Sequence, residues 1–286
     1  MPPARAILGM NVRRTGISKS FMIPLHQSAA SEAGQRKDPQ LPHEEAKIGL
    51  IVRQTVGPVG RSPEVTPGLL STVVGSSDSP LFAQFVGWAP SDAQLGPEVR
   101  VVPMDATAAD ALPAQFAQIG KFHHLVLALG SGKGVGSFAA VSLADLKFGF
   151  EEKVYAHFAT AQAALPFLNP TGSLTFVSAV SAQAAVPGTA GIGAANAAVA
   201  ALVPILAVEL KPLRVNGVSP GVIDTPCGAP FLRSRSGRCF GDYAAKTPVG
   251  RVGRPEDVAQ AIAFLIGDSF MTGHMLVCDG GLRLSA

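Results

Sequence analysis

Charged residues and cysteines are both scarce in this sequence. Asp, Glu, Lys and Arg make up 15% of the 286 residues, and the formal net charge is +3. With so few charged residues, no basic surface of the kind that binds nucleic acid or an anionic membrane is predicted. Neither is therefore expected as a partner. The three cysteines lie far apart without a CxxC pattern, which argues against a disulfide framework and a zinc site. A reducing compartment is therefore predicted.

Several motifs that identify enzyme sites are absent. In "LALGSGKGVGSF", Leu127 replaces the first glycine of a P-loop and Gly134 replaces its hydroxyl residue. Val135 replaces the third glycine of the dinucleotide fingerprint. His123 and His124 are neighbours in a predicted strand, so they point to opposite faces and cannot share a metal ion. No metal site is predicted. The glycine loop, which is the stretch "GSGKGVG" of residues 130–136, either lets a ligand approach the backbone closely or is a plain turn.

The apolar runs are too short for a membrane span. The run Ala197 to Val208 falls below the roughly 20 residues that a spanning helix needs, so no membrane association is predicted. A hydrophobic content of 47% is enough to build a single core, which predicts one domain over residues 48–286, with two smaller domains as the alternative.

The amino-terminal segment has a different character. Residues 1–47 are predicted to be a disordered or targeting extension, and no acidic residue precedes Glu32. A transit peptide over residues 1–31 would indicate an organelle, and otherwise a cytoplasmic location is expected. Residues 48–95 are rich in Pro, Gly and Ser, which predicts an irregular or incomplete amino-terminal part of the domain.

From Glu98 onward, short apolar runs alternate with longer helical patterns. "VRVVPM", "HHLVLALG", "GSLTFVSAV", "LRVNGVSPG" and "GHMLVCDGG" are predicted strands, and the stretches between them contain predicted helices. This alternation is typical of an α/β fold with a doubly wound, Rossmann-like parallel sheet in three layers. Ligands of such sheets bind outside the carboxyl ends of the strands.

Four segments resemble the second half of a short-chain dehydrogenase/reductase. They are "GSLTFVSAVSA", "AANAAVAALVPILAVELKPLRVNGVSPGVIDTP", "PVGRVGRPEDVAQAIAFLI" and "TGHMLVCDGG". The resemblance covers about residues 96–284. It implies a Rossmann-type domain that binds NAD or NADP, a small-molecule carbonyl or alcohol substrate, and a homodimer or homotetramer.

The resemblance also implies a set of cofactor-binding residues. The family's PGxxxT segment meets the nicotinamide amide and the pyrophosphate, an acid after the third strand supports the adenine end, and the glycine of "NNAG" follows the fourth strand. The matching positions are Pro220, Gly221, Val222, Ile223, Thr225, Asp105 and Gly130. The family's "TGxxxGIG" phosphate turn has no clear match, and the two nearest placements are Val73 to Pro80 and Val56 to Gly60.

The family's catalytic positions carry different side chains here. Ile192, Asn196 and Ala179 align with its Tyr, Lys and Ser, and an isoleucine cannot exchange a proton. The aligned residue for its helix Asn is Lys153. Ser178, Asn196 and Lys153 are therefore the candidate catalytic residues, with His157 on the same helix face as Lys153. The alternatives are a solvated helix face, a noncatalytic binding or assembly subunit, and a damaged product with a faulty upstream half.

Overall fold

The computed structural model describes the backbone of residues 47–53, 70–76, 100–224 and 239–285, and side chains within 104–224 and 241–285. These residues belong to a compact unit over Glu44–Ala286. The strands of the described residues are β1 Lys47–Arg53, β2 Leu70–Ser76, β3 Arg100–Met104, β4 Phe122–Ala128, β5 Leu168–Val177, β6 Arg214–Pro220 and β7 Met275–Cys278. They form one sheet in the order β3-β2-β1-β4-β5-β6-β7.

Most of the sheet is parallel. Parallel pairs join β1 to β4, β4 to β5, β5 to β6 and β6 to β7. β2 runs antiparallel to both β1 and β3, so β3 has the direction of β1. The predicted α/β fold with a parallel sheet is confirmed, and β2 is its one reversed strand among the described residues.

Helices connect the strands, and all except Cys239–Lys246 fall in stretches that the sequence predicts as helical. They are α1 Leu112–Ile119, α2 Leu143–Phe150, α3 Ala156–Ala164, α4 Ala190–Glu209, α5 Cys239–Lys246 and α6 Pro255–Gly267. A π-helical turn, Glu151–Tyr155, joins α2 to α3. The hydroxyl of Ser142 accepts a hydrogen bond from the backbone N–H of Asp145 and so caps α2. Pro255 occupies the first turn of α6, where its missing N–H costs nothing.

Apolar clusters cover both faces of the sheet, which gives the three layers. On one face Leu125 and Leu127 of β4 pack in the larger cluster, together with Val199 and Val203 of α4. On the other face Val126 of β4 packs against Val258 and other residues of α6. Neighbouring residues of a strand point to opposite faces, so the near-continuous apolar run of β4 reflects burial on both sides.

Helix α4 has an apolar side that the sheet does not cover. Among the described residues it is the one helix long and apolar enough to cross a membrane, with a mean hydropathy of 2.0. It contacts β5 and β6, however, which makes it a layer of the core. Its outward residues Ile205 and Val208 remain 59% and 72% exposed.

The amino-terminal strands correct one sequence-based placement. Val73 to Ser76 belong to β2, so the phosphate turn does not begin at Val73 as the first of the two placements requires. The second placement, Val56 to Gly60, follows β1 in the chain and lies outside the described residues. β1 itself lies beside β4 near the middle of the sheet.

Candidate functional site

Lys153 lies in the π-helical turn, behind the carboxyl ends of two strands. Its Nζ donates hydrogen bonds to the backbone oxygen of Leu129 at 3.0 Å and to that of Val177 at 3.2 Å. The residue is only 5% exposed. Burial disfavours the charged form of the amine and lowers the pKa of Lys153 to about 8. Lys153 thus ties the ends of β4 and β5 together.

Ser178 follows β5, and Asn196 lies in α4 in contact with it. The hydroxyl of Ser178 donates to the backbone oxygen of Asn196 at 2.8 Å. The side-chain amide of Asn196 donates to the hydroxyl of Ser181 at 3.0 Å. Asn196 Oδ1 is buried and has no hydrogen-bond partner among the described residues. Both residues are buried, so each is held by the protein's own backbone or side chains.

The structure therefore brings the three candidate catalytic residues to one place, around the end of β5. Lys153 reaches the oxygen of Val177, and Ser178 is the next residue along the chain. The three residues are buried, at 5% exposure or less, and their side chains donate hydrogen bonds to groups of the protein itself. This arrangement links the ends of β4 and β5 to the π-helical turn and to the first half of α4 through hydrogen bonds.

His157 is also buried, so the alternative of a solvated helix face for Lys153 and His157 is wrong. Its Nδ1 lies 2.6 Å from the backbone oxygen of Lys153, and its Nε2 lies 3.1 Å from that of Leu127. Burial, helped by the nearby charge of Lys153, lowers the pKa of His157 to about 3. A neutral imidazole carries one N–H, so only one of the two carbonyl oxygens accepts a hydrogen bond from the ring at neutral pH.

One histidine of β4 contacts a serine of the neighbouring strand. His124 Nδ1 lies 2.8 Å from the hydroxyl of Ser173 on β5. Burial is the main cause that lowers the pKa of His124 to about 4. Within the described residues there is no group of three or more His, Cys, Asp or Glu side chains placed to hold a metal ion.

The glycine loop after β4 has an open part and a packed part. At Gly130 and Gly132, no other atom lies within 4 Å of the position that a Cβ would occupy, so a ligand can approach the backbone there. Further along, the oxygen of Gly134 accepts a 3.0 Å hydrogen bond from the N–H of Ile192 in the first turn of α4. A Cβ on Gly191 would stand 2.5 Å from that oxygen. Glycine at 191 thus lets the loop cap the helix.

A second polar pair lies at the open part of this loop. The hydroxyl of Ser131 donates a 2.7 Å hydrogen bond to Oε2 of Glu152, which is 3% exposed. Sequence reasoning missed this pair. The available signal was helical spacing, because Glu152 shares a face with Gly149 and Ala156, where a carboxyl group is unexpected. Its partner lies 21 residues away, in a loop.

The Pro-Gly turn after β6 presents backbone groups at the same edge of the sheet. The N–H of Gly221 donates to the oxygen of Cys278 at 3.0 Å. Val222 and Asp224 exchange backbone hydrogen bonds with Gly253, in a bridge centred on Ile223. In such a bridge the N–H and C=O of the central residue point to the opposite side. Thr225, the last predicted residue of this segment, lies outside the described residues.

Asp105 begins the turn after β3. Its Oδ1 accepts hydrogen bonds from the backbone N–H of Thr107 at 2.9 Å and from its hydroxyl at 2.7 Å. These bonds fix the carboxyl group at the carboxyl end of the strand. Asp105, Gly130 and the turn of residues 220–223 therefore all follow the carboxyl ends of strands, where an α/β sheet binds its ligands.

Comparison with known proteins shows which family of sequences this chain is similar to. A family model described as enoyl-(acyl carrier protein) reductase matches residues 88–283, more than half of the chain. The peroxisomal 2,4-dienoyl-CoA reductase of Saccharomyces cerevisiae is 37% identical over 163 residues, which cover 55% of each chain. The NADH-dependent enoyl-[acyl-carrier-protein] reductase of Salmonella typhimurium is 31% identical over 208 residues, covering 68% of this chain and 78% of that one.

The fold of this chain is also similar to that of a solved structure. The crystal structure of a small-chain dehydrogenase in complex with NADPH has a TM-score of 0.61 and 31% identity, covering 63% of this chain and 83% of the other. The first three curated relatives are matched over 55% to 69% of their own lengths. The parallel sheet with its helices and glycine loop defines a Rossmann-type protein. The chain belongs to the short-chain dehydrogenase/reductase family of oxidoreductases, as the resemblance predicted.

Proposed function

We propose that this chain is an NAD(P)-dependent oxidoreductase that acts on a carbonyl or alcohol group of a small molecule. The observation that carries the proposal is the open carboxyl edge of the sheet, where Gly130 and the turn around Ile223 leave backbone groups free to meet a dinucleotide. A nicotinamide bound there supplies or accepts a hydride. The cytoplasmic location, with the organelle as its alternative, stays a prediction.

The cofactor-binding residues follow from their places at this edge. Asp105 would support the adenine end, and the loop at Gly130 would allow a close approach of the ribose or phosphate groups. The outward N–H and C=O of Ile223 are the two groups that complement a carboxamide, which has one donor and one acceptor side. Thr225 would meet the pyrophosphate. The choice between NAD and NADP is left to experiment.

We propose positioning roles for the three candidate catalytic residues. Lys153 would hold the ends of β4 and β5 and place a positive charge behind the site. Ser178 and Asn196 would fix the first half of α4 against the end of β5. The family's exchange of a proton with a tyrosine has no counterpart at Ile192, so this chain would use a different proton acceptor.

A titration tests the proposal. Isothermal calorimetry of the full chain with NADH and with NADPH is expected to give saturable heat for at least one of them. A matched titration with nicotinamide alone controls for nonspecific binding. If neither dinucleotide gives heat, the proposed function is overturned.

A noncatalytic binding or assembly subunit is the second candidate. It is favoured by the resemblance, in which Ile192, Asn196 and Ala179 align with the family's tyrosine, lysine and serine. The test is the triple variant Ile192→Tyr, Asn196→Lys and Ala179→Ser. Oxidoreductase activity that appears only in the triple variant supports the noncatalytic subunit, whereas activity in the parent chain contradicts it.

The proposal includes self-association through one apolar surface. Tyr155 and Phe158, at the junction of the π turn and α3, are 62% and 51% exposed, and Ile205 and Val208 of α4 are exposed as well. Exposed aromatic and aliphatic side chains on neighbouring helices are typical of subunit interfaces. A homodimer or homotetramer would bury this surface.

A further inference from the structure

Ser131 and Glu152 form a hydrogen-bonded pair at the open part of the glycine loop. We propose that this pair is an acceptor site for a ligand hydroxyl, in which Ser131 contacts the hydroxyl and Glu152 takes up the proton that Ser131 passes on. The inference rests on the proposed function, because it assigns the proton acceptor that the substituted tyrosine position lacks.

The hydrogen bonds of Ser131 define what it can bind. Its hydroxyl donates to Oε2 of Glu152 at 2.7 Å and accepts from the backbone N–H of Lys133 at 3.0 Å. A serine hydroxyl has one proton and two acceptor positions, so one acceptor position remains. The partner must therefore be a donor. A hydroxyl group meets this requirement and a carbonyl group does not.

The surroundings leave room for such a donor. Ser131 lies between Gly130 and Gly132, and at both glycines the space that a Cβ would occupy is empty to 4 Å. Glu152 lies behind Ser131 at 3% exposure, so solvent competes little for its carboxyl group. The pair thus combines a reachable oxygen with a shielded proton acceptor.

The hydroxyl can come from two sources, the ribose of the dinucleotide or an alcohol substrate. In the second case the alcohol O–H bond breaks as a new Ser131 O–H bond forms, while the original Ser131 proton moves to Oε2 of Glu152. The carbon loses its hydride, with its electron pair, to the oxidised nicotinamide, which leaves a carbonyl product. Glu152 then returns the proton to water. Atoms and charge balance with the oxidised dinucleotide as the only oxidant.

Two variants and two matched controls test the inference. Ser131→Ala removes the accepting oxygen, and Glu152→Gln keeps an acceptor of similar shape that cannot take up the proton. The controls are Ser137→Ala, an exposed serine of the same loop segment, and Glu151→Gln, the exposed glutamate next to Glu152. Circular dichroism first establishes that each variant is folded. Dissociation constants for the reduced and oxidised dinucleotides and for ADP-ribose and ADP are then measured by calorimetry.

A hydroxyl of the ribose next to the nicotinamide predicts that Ser131→Ala weakens dinucleotide and ADP-ribose binding about tenfold, while binding of ADP, which lacks that ribose, is unchanged. A substrate hydroxyl predicts unchanged dinucleotide binding and a kcat for alcohol oxidation that falls about 100-fold in Glu152→Gln, with a smaller change in KM. The substrate result supports the inference, whereas the ribose result overturns its proton-transfer step. The inference is overturned if both variants match their controls in binding and in turnover. A parent chain that binds no dinucleotide overturns the proposed function instead, and the inference with it.

Discussion

Lys153 shows how a single residue can be both buried and polar without disrupting the core. Two backbone oxygens accept hydrogen bonds from its Nζ, and even the neutral amine has two N–H groups to donate to them. His157 one turn later is also buried between carbonyls, with its pKa lowered to about 3. The carboxyl ends of β4 and β5 are therefore held by side chains whose charged forms are costly.

The buried lysine predicts a pH dependence of stability. Because the pKa of Lys153 falls from 10.5 to about 8 on folding, the unfolded chain binds more protons between these pH values. The free energy of unfolding should therefore rise with pH across this window, by roughly 3 kcal/mol from this group. In Lys153→Met this contribution is absent.

Urea denaturation at pH 7.5 and pH 10 measures the difference. The rise should be smaller in Lys153→Met than in the parent chain. Lys147→Met, at an exposed position of α2, is the control and should behave like the parent. An identical pH dependence in all three proteins would contradict the assignment.

At the scale of elements, two features of α4 matter. Its first turn is capped by the oxygen of Gly134, which fixes the glycine loop against the helix. Its middle contains Pro204, which lacks the N–H that a helix interior uses. The first feature depends on close backbone packing, and the second weakens an otherwise well-formed helix.

Gly191→Ala is expected to disrupt the contact between the loop and the helix. The added Cβ would stand 2.5 Å from the oxygen of Gly134, so the loop must move away and the Ile192 hydrogen bond is lost. We expect a loss of about 1–3 kcal/mol in unfolding free energy, measured by denaturant titration. Gly267→Ala, with no atom within 4 Å of its Cβ position, is the control. Equal stability of the two variants would refute the close contact.

Pro204→Ala is expected to stabilise the chain. Alanine restores a backbone donor inside α4 and favours helix, so the thermal midpoint should rise, by an amount corresponding to about 1–3 kcal/mol at most. Pro255→Ala provides the comparison, because Pro255 lies in the first turn of α6, where proline is favourable. The interpretation fails if both variants shift the midpoint equally in scanning calorimetry.

For the whole molecule, the two faces of the sheet differ in what covers them. The larger apolar cluster joins α1, α3 and α4 to one face, and the smaller cluster joins α6 to the other. On the first side the helices themselves carry exposed apolar residues, including Val208 at 72% exposure. That surface accounts for the proposed homo-oligomer.

Val208→Lys should reduce the size of the assembly. A charge at the centre of an apolar interface loses its hydration, so association weakens while the fold is kept. Light scattering coupled to size exclusion measures the mass. Val249→Lys, an exposed valine between α5 and α6 at 62% exposure, is the control and should leave the mass unchanged. A parent chain that is already monomeric would contradict the proposed association.

Much of the carboxyl-terminal fold was predictable from local pattern. The apolar runs of β4 to β7 and the helical pattern of Ala190 to Glu209 match the observed elements, because side-chain periodicity is a local property. The Pro-Gly turn and Gly130 follow the carboxyl ends of predicted strands, and their roles in cofactor binding stay predictions. The reversed direction of β2 was not, since strand pairing depends on partners far along the chain.

The sequence by itself determined the fold class and the order of the carboxyl-terminal elements. Only the tertiary structure decided that Lys153 and Asn196 are buried and that Ser131 meets Glu152 at the open edge of the sheet. The physical reason is that burial and hydrogen bonding depend on contacts between distant segments. A loop and a helix 21 residues apart make the pair, and no local pattern records that contact.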